Sequence, residues 1–218
     1  MNHRCLLALS AFYVASVLGC TGSVYPLLTD GNLLKDSDLS GEWMLELPDK
    51  DGNIQKIKIE LDGYDTSTYD LTIPEEWLQS RKESQSHGLE FPEVWRFQVG
   101  KIENELFAQL IPRDLPIGPP VAHGMPVYWF GKLTMKDDTI EFSAVSDDRA
   151  FIATQEKLPH IKLEPSQFVE MTVFTMPTAQ LQENVIKHKD KLFRSRPLIL
   201  RRANSTKALK DESEMRTP

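Results

Sequence analysis

The chain has 218 residues, 40% of them hydrophobic and 26% charged, with a formal net charge of −7. These proportions are ordinary for a globular protein and are enough for one sizeable core. The acidic balance argues against nucleic acid as a partner and against charge-driven binding to anionic lipid.

In chain order, a basic start at His3 and Arg4 runs into an apolar stretch from Cys5 to Leu18. That is the pattern of a signal peptide over residues 1–19. A bilayer span needs about 20 apolar residues, so this stretch is short for one, and no comparable segment follows it. The stretch ends Val17-Leu18-Gly19-Cys20, which resembles the lipobox of bacterial lipoprotein signals. The resemblance implies cleavage before Cys20, acyl chains on that cysteine, and a protein held by lipid to a membrane of the bacterial cell envelope, facing the periplasm. Thr21 rather than Asp follows the cysteine, a pattern similar to that of lipoproteins sorted to the outer membrane. Several acyl chains, at about 0.8 kcal/mol per buried methylene, give a stable attachment where one chain gives a marginal one. Once Cys5 leaves with the signal and Cys20 carries lipid, no thiol remains for a disulfide, a metal or catalysis. Removing residues 1–19 takes away one Arg and no acid, which moves the charge to −8.

Residues 20–38 are polar and turn-rich, with Asp30-Gly31-Asn32 and Asp36-Ser37-Asp38, and read as a tether. The domain proper is expected over residues 39–202. There Trp43, Leu45 and Leu47 alternate with Met44 and Glu46, and after a turn at Asp49-Lys50-Asp51-Gly52-Asn53 the alternation resumes at Ile57, Ile59 and Leu61. Period-two alternation across a turn predicts a hairpin. Further strands are predicted around Tyr69 to Ile73, Trp95 to Val99, Leu106 to Ile111, Val127 to Met135, Ile140 to Ala144, Val169 to Phe174 and Leu198 to Leu200. Two helices are predicted: a short one from a cap at Ser146 to about Gln155, and one started by Thr178 and reaching about Lys191, with Leu181, Val185, Ile186 and Leu192 as its apolar stripe. Residues 203–218 are charged and aperiodic and predict a disordered tail. Many short strands with two helices predict a mainly β fold, an antiparallel barrel or sandwich.

Searches for chemistry return little. The sequence contains no Gly-x-Ser-x-Gly and no His-Glu-x-x-His, and His87, His123, His160 and His188 lack partners at metal-ligand spacing. Asp49, Asp51 and Asn53 have the rhythm of a calcium loop, but Ile54 stands where Gly is needed. The acidic pairs Glu75-Glu76, Asp137-Asp138 and Asp147-Asp148 fit solvated turns and helix starts better than acid–base catalysis. A non-enzymatic protein with no cofactor and no metal is expected.

Leu39-Ser40-Gly41-Glu42-Trp43 resembles the first strand of lipocalin-like (calycin) barrels. The stretch from Pro177 through Phe193 to Leu198-Ile199-Leu200-Arg201-Arg202 is similar to the end of a group of uncharacterised bacterial lipoproteins. Together these imply a lipocalin-like antiparallel barrel with one or two short helices outside it, closed where Trp43 packs against Arg201 or Arg202. Two long loops, Pro74 to Pro92 with Trp77 and Pro112 to Pro126 with Leu115, Ile117 and Met125, are candidates for the mouth of a ligand cavity. Two functions stand open: a binder of a small hydrophobic or amphipathic, lipid-like ligand, or a non-catalytic envelope protein with a filled barrel and a protein partner of unknown kind. A cavity of roughly 300 Å³ or more is expected of the first, and a packed interior of the second.

Overall fold

A computed structural model of the chain describes residues 21–35, 38–48, 54–76, 93–113, 127–145, 153–166, 169–193 and 197–203. In chain order the strands are β1 (Thr21–Ser23), β2 (Gly41–Pro48), β3 (Ile54–Gly63), β4 (Thr68–Thr72), β5 (Val94–Ile102) and β6 (Glu105–Pro112). Then come β7 (Trp129–Lys136), β8 (Thr139–Ala144), β9 (His160–Ser166), β10 (Val169–Phe174), the helix α1 (Thr178–Leu192) and β11 (Leu198–Arg202). Strands β2 to β8 run as an antiparallel meander, and β11 pairs with both β8 and β2 to close an eight-stranded barrel. Closure removes the unpaired edges that an open sheet would expose.

The alternation read from the sequence is what sorts side chains between the inside and outside. In β3 Ile57, Ile59 and Leu61 are buried and Lys56, Lys58 and Glu60 exposed, because successive side chains of a strand point to opposite faces. The connections between strands are tight where residues accept a left-handed backbone: Glu103 (φ 55°) between β5 and β6, and Asp137 (φ 46°) between β7 and β8. Between β3 and β4 the Asp65 carboxylate accepts the Ser67 backbone N–H at 2.7 Å, and this hydrogen bond holds its pKa below the ordinary value.

A second apolar cluster lies outside the barrel. Strand β6 is buried on both faces, with Ala108 and Leu110 in the barrel core and Phe107 in the outer cluster. Phe107 and Phe130 there meet Leu181, Val185 and Leu192 of α1 and Leu27 and Leu28 of the N-terminal segment. A parallel β1–β10 pair and antiparallel β10–β9 pair form a separate three-stranded sheet beside the barrel.

Several expectations need correction. Residues 21–35 do not form a slack tether but a strap against the barrel: Thr21, Leu27 and Leu28 are buried, and Leu33 bridges to Gly100. The strap holds because distant side chains satisfy its backbone. Gln109, itself buried, accepts the Leu28 N–H at 3.0 Å, and Gln182 donates to the Leu27 carbonyl at 2.8 Å. Thr178 does not cap α1; Pro177 holds that position and the Thr178 hydroxyl donates to the Pro26 carbonyl at 2.9 Å. The buried face of α1 includes His188, which the expected stripe omitted. Of the short helix at 146–155, only 153–155 lies within the described residues, and it is one helical turn. Ala203 extends the ladder by donating to Glu42 O at 2.9 Å, and the rest of the expected tail lies outside the described residues.

Candidate functional site

The two ends of the barrel differ. At one end Trp43, near the start of β2, and Arg202, at the end of β11, are directly paired in register. The Trp43 indole is 1% exposed, donates to the Leu39 carbonyl at 2.9 Å, and lies under the Arg202 guanidinium, 4.7 Å from the ring centroid. Arg202 also donates to the Ser40 carbonyl at 3.0 Å and the Asp38 carbonyl at 2.8 Å. One cation therefore seals this end by covering a π face and satisfying two otherwise free carbonyls. Of the two candidate arginines, Arg202 takes this place. Arg201 points the other way and pairs with Glu46 at 3.2 Å.

Toward the opposite end the described residues enclose an apolar cavity. A cavity of about 100 Å³ is walled by Leu45 and Leu47 in the second half of β2, Ile57 and Ile59 in β3, Leu71 in β4 and Ile73 just past it. Trp95 and Phe97 at the start of β5, Leu110 late in β6 and Trp129 at the start of β7 continue the wall. Phe142, Leu198 and Leu200 complete it from β8 and β11, with Ile140. Among the described residues no polar or charged side chain lines it. Trp95 and Trp129 stack across the rim with centroids 4.6 Å apart. The Trp129 indole nitrogen is buried without a hydrogen-bond partner among the described residues.

The described stems of both long loops stand at this end. Ile73 donates to Glu93 O at 3.0 Å and Arg113 to Val94 O at 3.1 Å. Trp77, Leu115, Ile117 and Met125 lie outside the described residues, as does Cys20. Trp95, Phe97, Trp129 and Phe142 were readable as inward-facing from alternation alone. Leu198 and Leu200 lie on a late strand that the sequence also predicts, and closure of the barrel by β11 brings them to the wall.

Charged groups stay outside. Asp70 on β4 and Arg113 after β6 pair at 2.7 Å, and Arg96 covers the Tyr64 ring at 4.5 Å. Glu105 accepts hydrogen bonds from Lys189 of α1 and Lys132 of β7, and these, Lys189 first, hold its carboxyl below the ordinary value. His188 is buried under α1 with its Nδ1 3.9 Å from Glu156, and His160 contacts the Leu158 carbonyl at 2.8 Å. His87 and His123 lie outside the described residues. Among the described residues no three His, Cys, Asp or Glu side chains gather as a metal site would require, and no helix is long and apolar enough to cross a membrane.

No protein-family model, no curated protein and no solved structure matches the chain.

Proposed function

We propose that this is a lipid-anchored lipoprotein of the bacterial envelope, fixed by acyl chains on Cys20, whose barrel binds a small hydrophobic or single-chain amphipathic ligand. The observation that carries the binding reading is the wholly apolar cavity of about 100 Å³ at the open end of the barrel. Ligand sites are apolar concavities with a few polar groups that fix orientation, and an eight-stranded barrel is of the size that either fills or holds one small ligand. The volume limits the guest. It falls short of the roughly 300 Å³ expected of a ligand-holding barrel and is nearer the roughly 150 Å³ that accommodates benzene. A short alkyl chain or small ring suits it, and a whole diacyl lipid does not.

The same small volume supports the second reading, in which the interior is nearly filled and the loops at the mouth meet an envelope protein. Native mass spectrometry of protein purified from its membrane fraction, with Trp fluorescence during titration with decanoate, separates the two. A copurified small amphiphile and a spectral change from the Trp95–Trp129 pair are the expected results. No copurified molecule and no fluorescence response would transfer the assignment to the partner-binding reading.

A further inference from the structure

The strap that replaces the expected tether leaves almost no slack between an anchor and the fold. Thr21 is 2% exposed and already in register with Thr172 of β10. Ser23 and Tyr128 exchange backbone hydrogen bonds of 2.9 and 2.8 Å. Gly22 lies so close to the barrel that an added Cβ would stand 2.4 Å from Val127 Cγ1 and 3.3 Å from Trp129 Cδ1. Val127 and Tyr128 lead into β7 and Trp129 belongs to the cavity wall, so the strap is pinned at the rim. One extended residue spans at most about 3.6 Å, so Cys20 is within about 7 Å of Gly22 whatever path it takes.

We infer that the partner of the barrel's open end is the bilayer surface: the mouth end rests at the membrane and the Trp43–Arg202 end points away from it. The inference rests on the lipid-anchor reading above. Lipid on Cys20 fixes a point at the Trp129 end of the barrel to the membrane, and the pinned strap gives that point no linker along which to retreat. Tyr25, 44% exposed just past β1, belongs to the residue types that settle at membrane–water interfaces. The guest of the small cavity then enters from the interface, as the alkyl part of a single-chain amphiphile dissolved in the bilayer, and the aqueous phase is bypassed.

The test uses full-length lipidated protein reconstituted into phosphatidylcholine vesicles with brominated acyl chains, which quench nearby indoles. Flotation with the vesicles is measured on the same sample. Three proteins are compared: the native chain, a chain keeping only Trp43 (W77F, W95F and W129F), and a chain with about ten Gly/Ser residues inserted between Cys20 and Thr21. That insert has a mean reach of roughly 17 Å. The expected result is flotation of all three, quenching of the native protein, no quenching of the Trp43-only protein, and loss of quenching on insertion. Floating native protein that is unquenched, or a Trp43-only protein quenched as strongly as the native, overturns the orientation and leaves the anchor standing. Quenching that survives the insertion also overturns it, and this comparison holds even if the triple Trp variant fails to fold. Native protein that does not float overturns the anchor and the orientation together.

Discussion

Leu198→Trp discriminates between a cavity kept for a guest and a packing defect. Leu198 sits at the start of β11 and lines the open end, so an indole there enters the cavity without displacing the sealed end. Empty apolar volume in a core costs about 24 cal/mol per Å³. For about 100 Å³ that is about 2 kcal/mol. Filling half of it returns about 1 kcal/mol, which for a domain of this size raises Tm by about 2 to 4 °C. A ligand at one hundred times its Kd stabilises the native chain by about 2.7 kcal/mol, a larger upward shift. The assay is thermal unfolding of native and Leu198→Trp protein with and without decanoate. The reasoning requires the variant to start higher and to lose the decanoate shift. A variant that is destabilised by the 1 to 3 kcal/mol typical of overpacking, or one that retains the full decanoate shift, refutes it.

Arg202→Ala removes the guanidinium from the Trp43 face and frees the Ser40 and Asp38 carbonyls; a loss of about 2 kcal/mol in urea unfolding is expected, against less than about 1 kcal/mol for Arg201→Ala, whose partner Glu46 forms an outer-surface pair. Glu105→Gln breaks the link between α1 and β7 and should lower stability at pH 7 by about 0.5 to 1 kcal/mol. Because the folded pKa of Glu105 is depressed from 4.5, its contribution is full above that pH and lost as pH falls through the folded value. Native and variant stabilities should therefore converge in acid unfolding curves as pH falls from 4.5 through the lowered folded value. Glu103→Gly relieves a left-handed Glu (φ 55°) in the β5–β6 turn and should raise Tm, net of the entropy glycine adds to the unfolded chain, by an amount worth no more than about 1 kcal/mol. Gln109→Ala leaves the Leu28 amide without its acceptor and should make the strap cleavable by protease under conditions where the barrel resists.

The barrel was largely legible because its strands bury one face and expose the other. Trp43, Leu45 and Leu47, or Ile57, Ile59 and Leu61, announce period two without any tertiary information. Strand β10 spans Val169–Phe174 as the pattern predicts, and α1 extends one residue past Lys191. Strand β9 was passed over although Ile161 and Leu163 alternate with Lys162 and Glu164, because the run is short and ends in Pro165. Strand β6 carried a signal that the alternation rule alone does not use. Its run Leu106-Phe107-Ala108-Gln109-Leu110-Ile111 is nearly continuous in apolar character, the mark of a strand covered on both faces. That run implies something packed outside the barrel at this strand, and the helix and the strap are what cover it.

The strap itself was not legible, and the reason is physical. A segment that packs through irregular backbone has no period to detect. Asp30-Gly31-Asn32 reads as a solvated turn, yet Asn32 uses its backbone carbonyl to accept the Lys101 N–H at 2.8 Å. The fully buried apolar side chains of that stretch are Leu27 and Leu28, with Val24, Leu33 and Leu34 partly buried beside them, an aperiodic set that a tether could equally carry exposed. What holds them is polar matching from far away in the chain, Gln109 on β6 and Gln182 on α1, and no local rule couples residue 28 to residue 109. The functional consequence follows from the same matching. A slack tether would let the barrel's open end sample any direction, whereas a strap satisfied residue by residue from Thr21 onward fixes where the chain leaves the domain. The exit point itself is held by the pairing of Thr21 to Ser23 with β10 and by the Ser23–Tyr128 hydrogen bonds, so Gln109→Ala should free the strap around Leu28 and leave residues 21–23 in place.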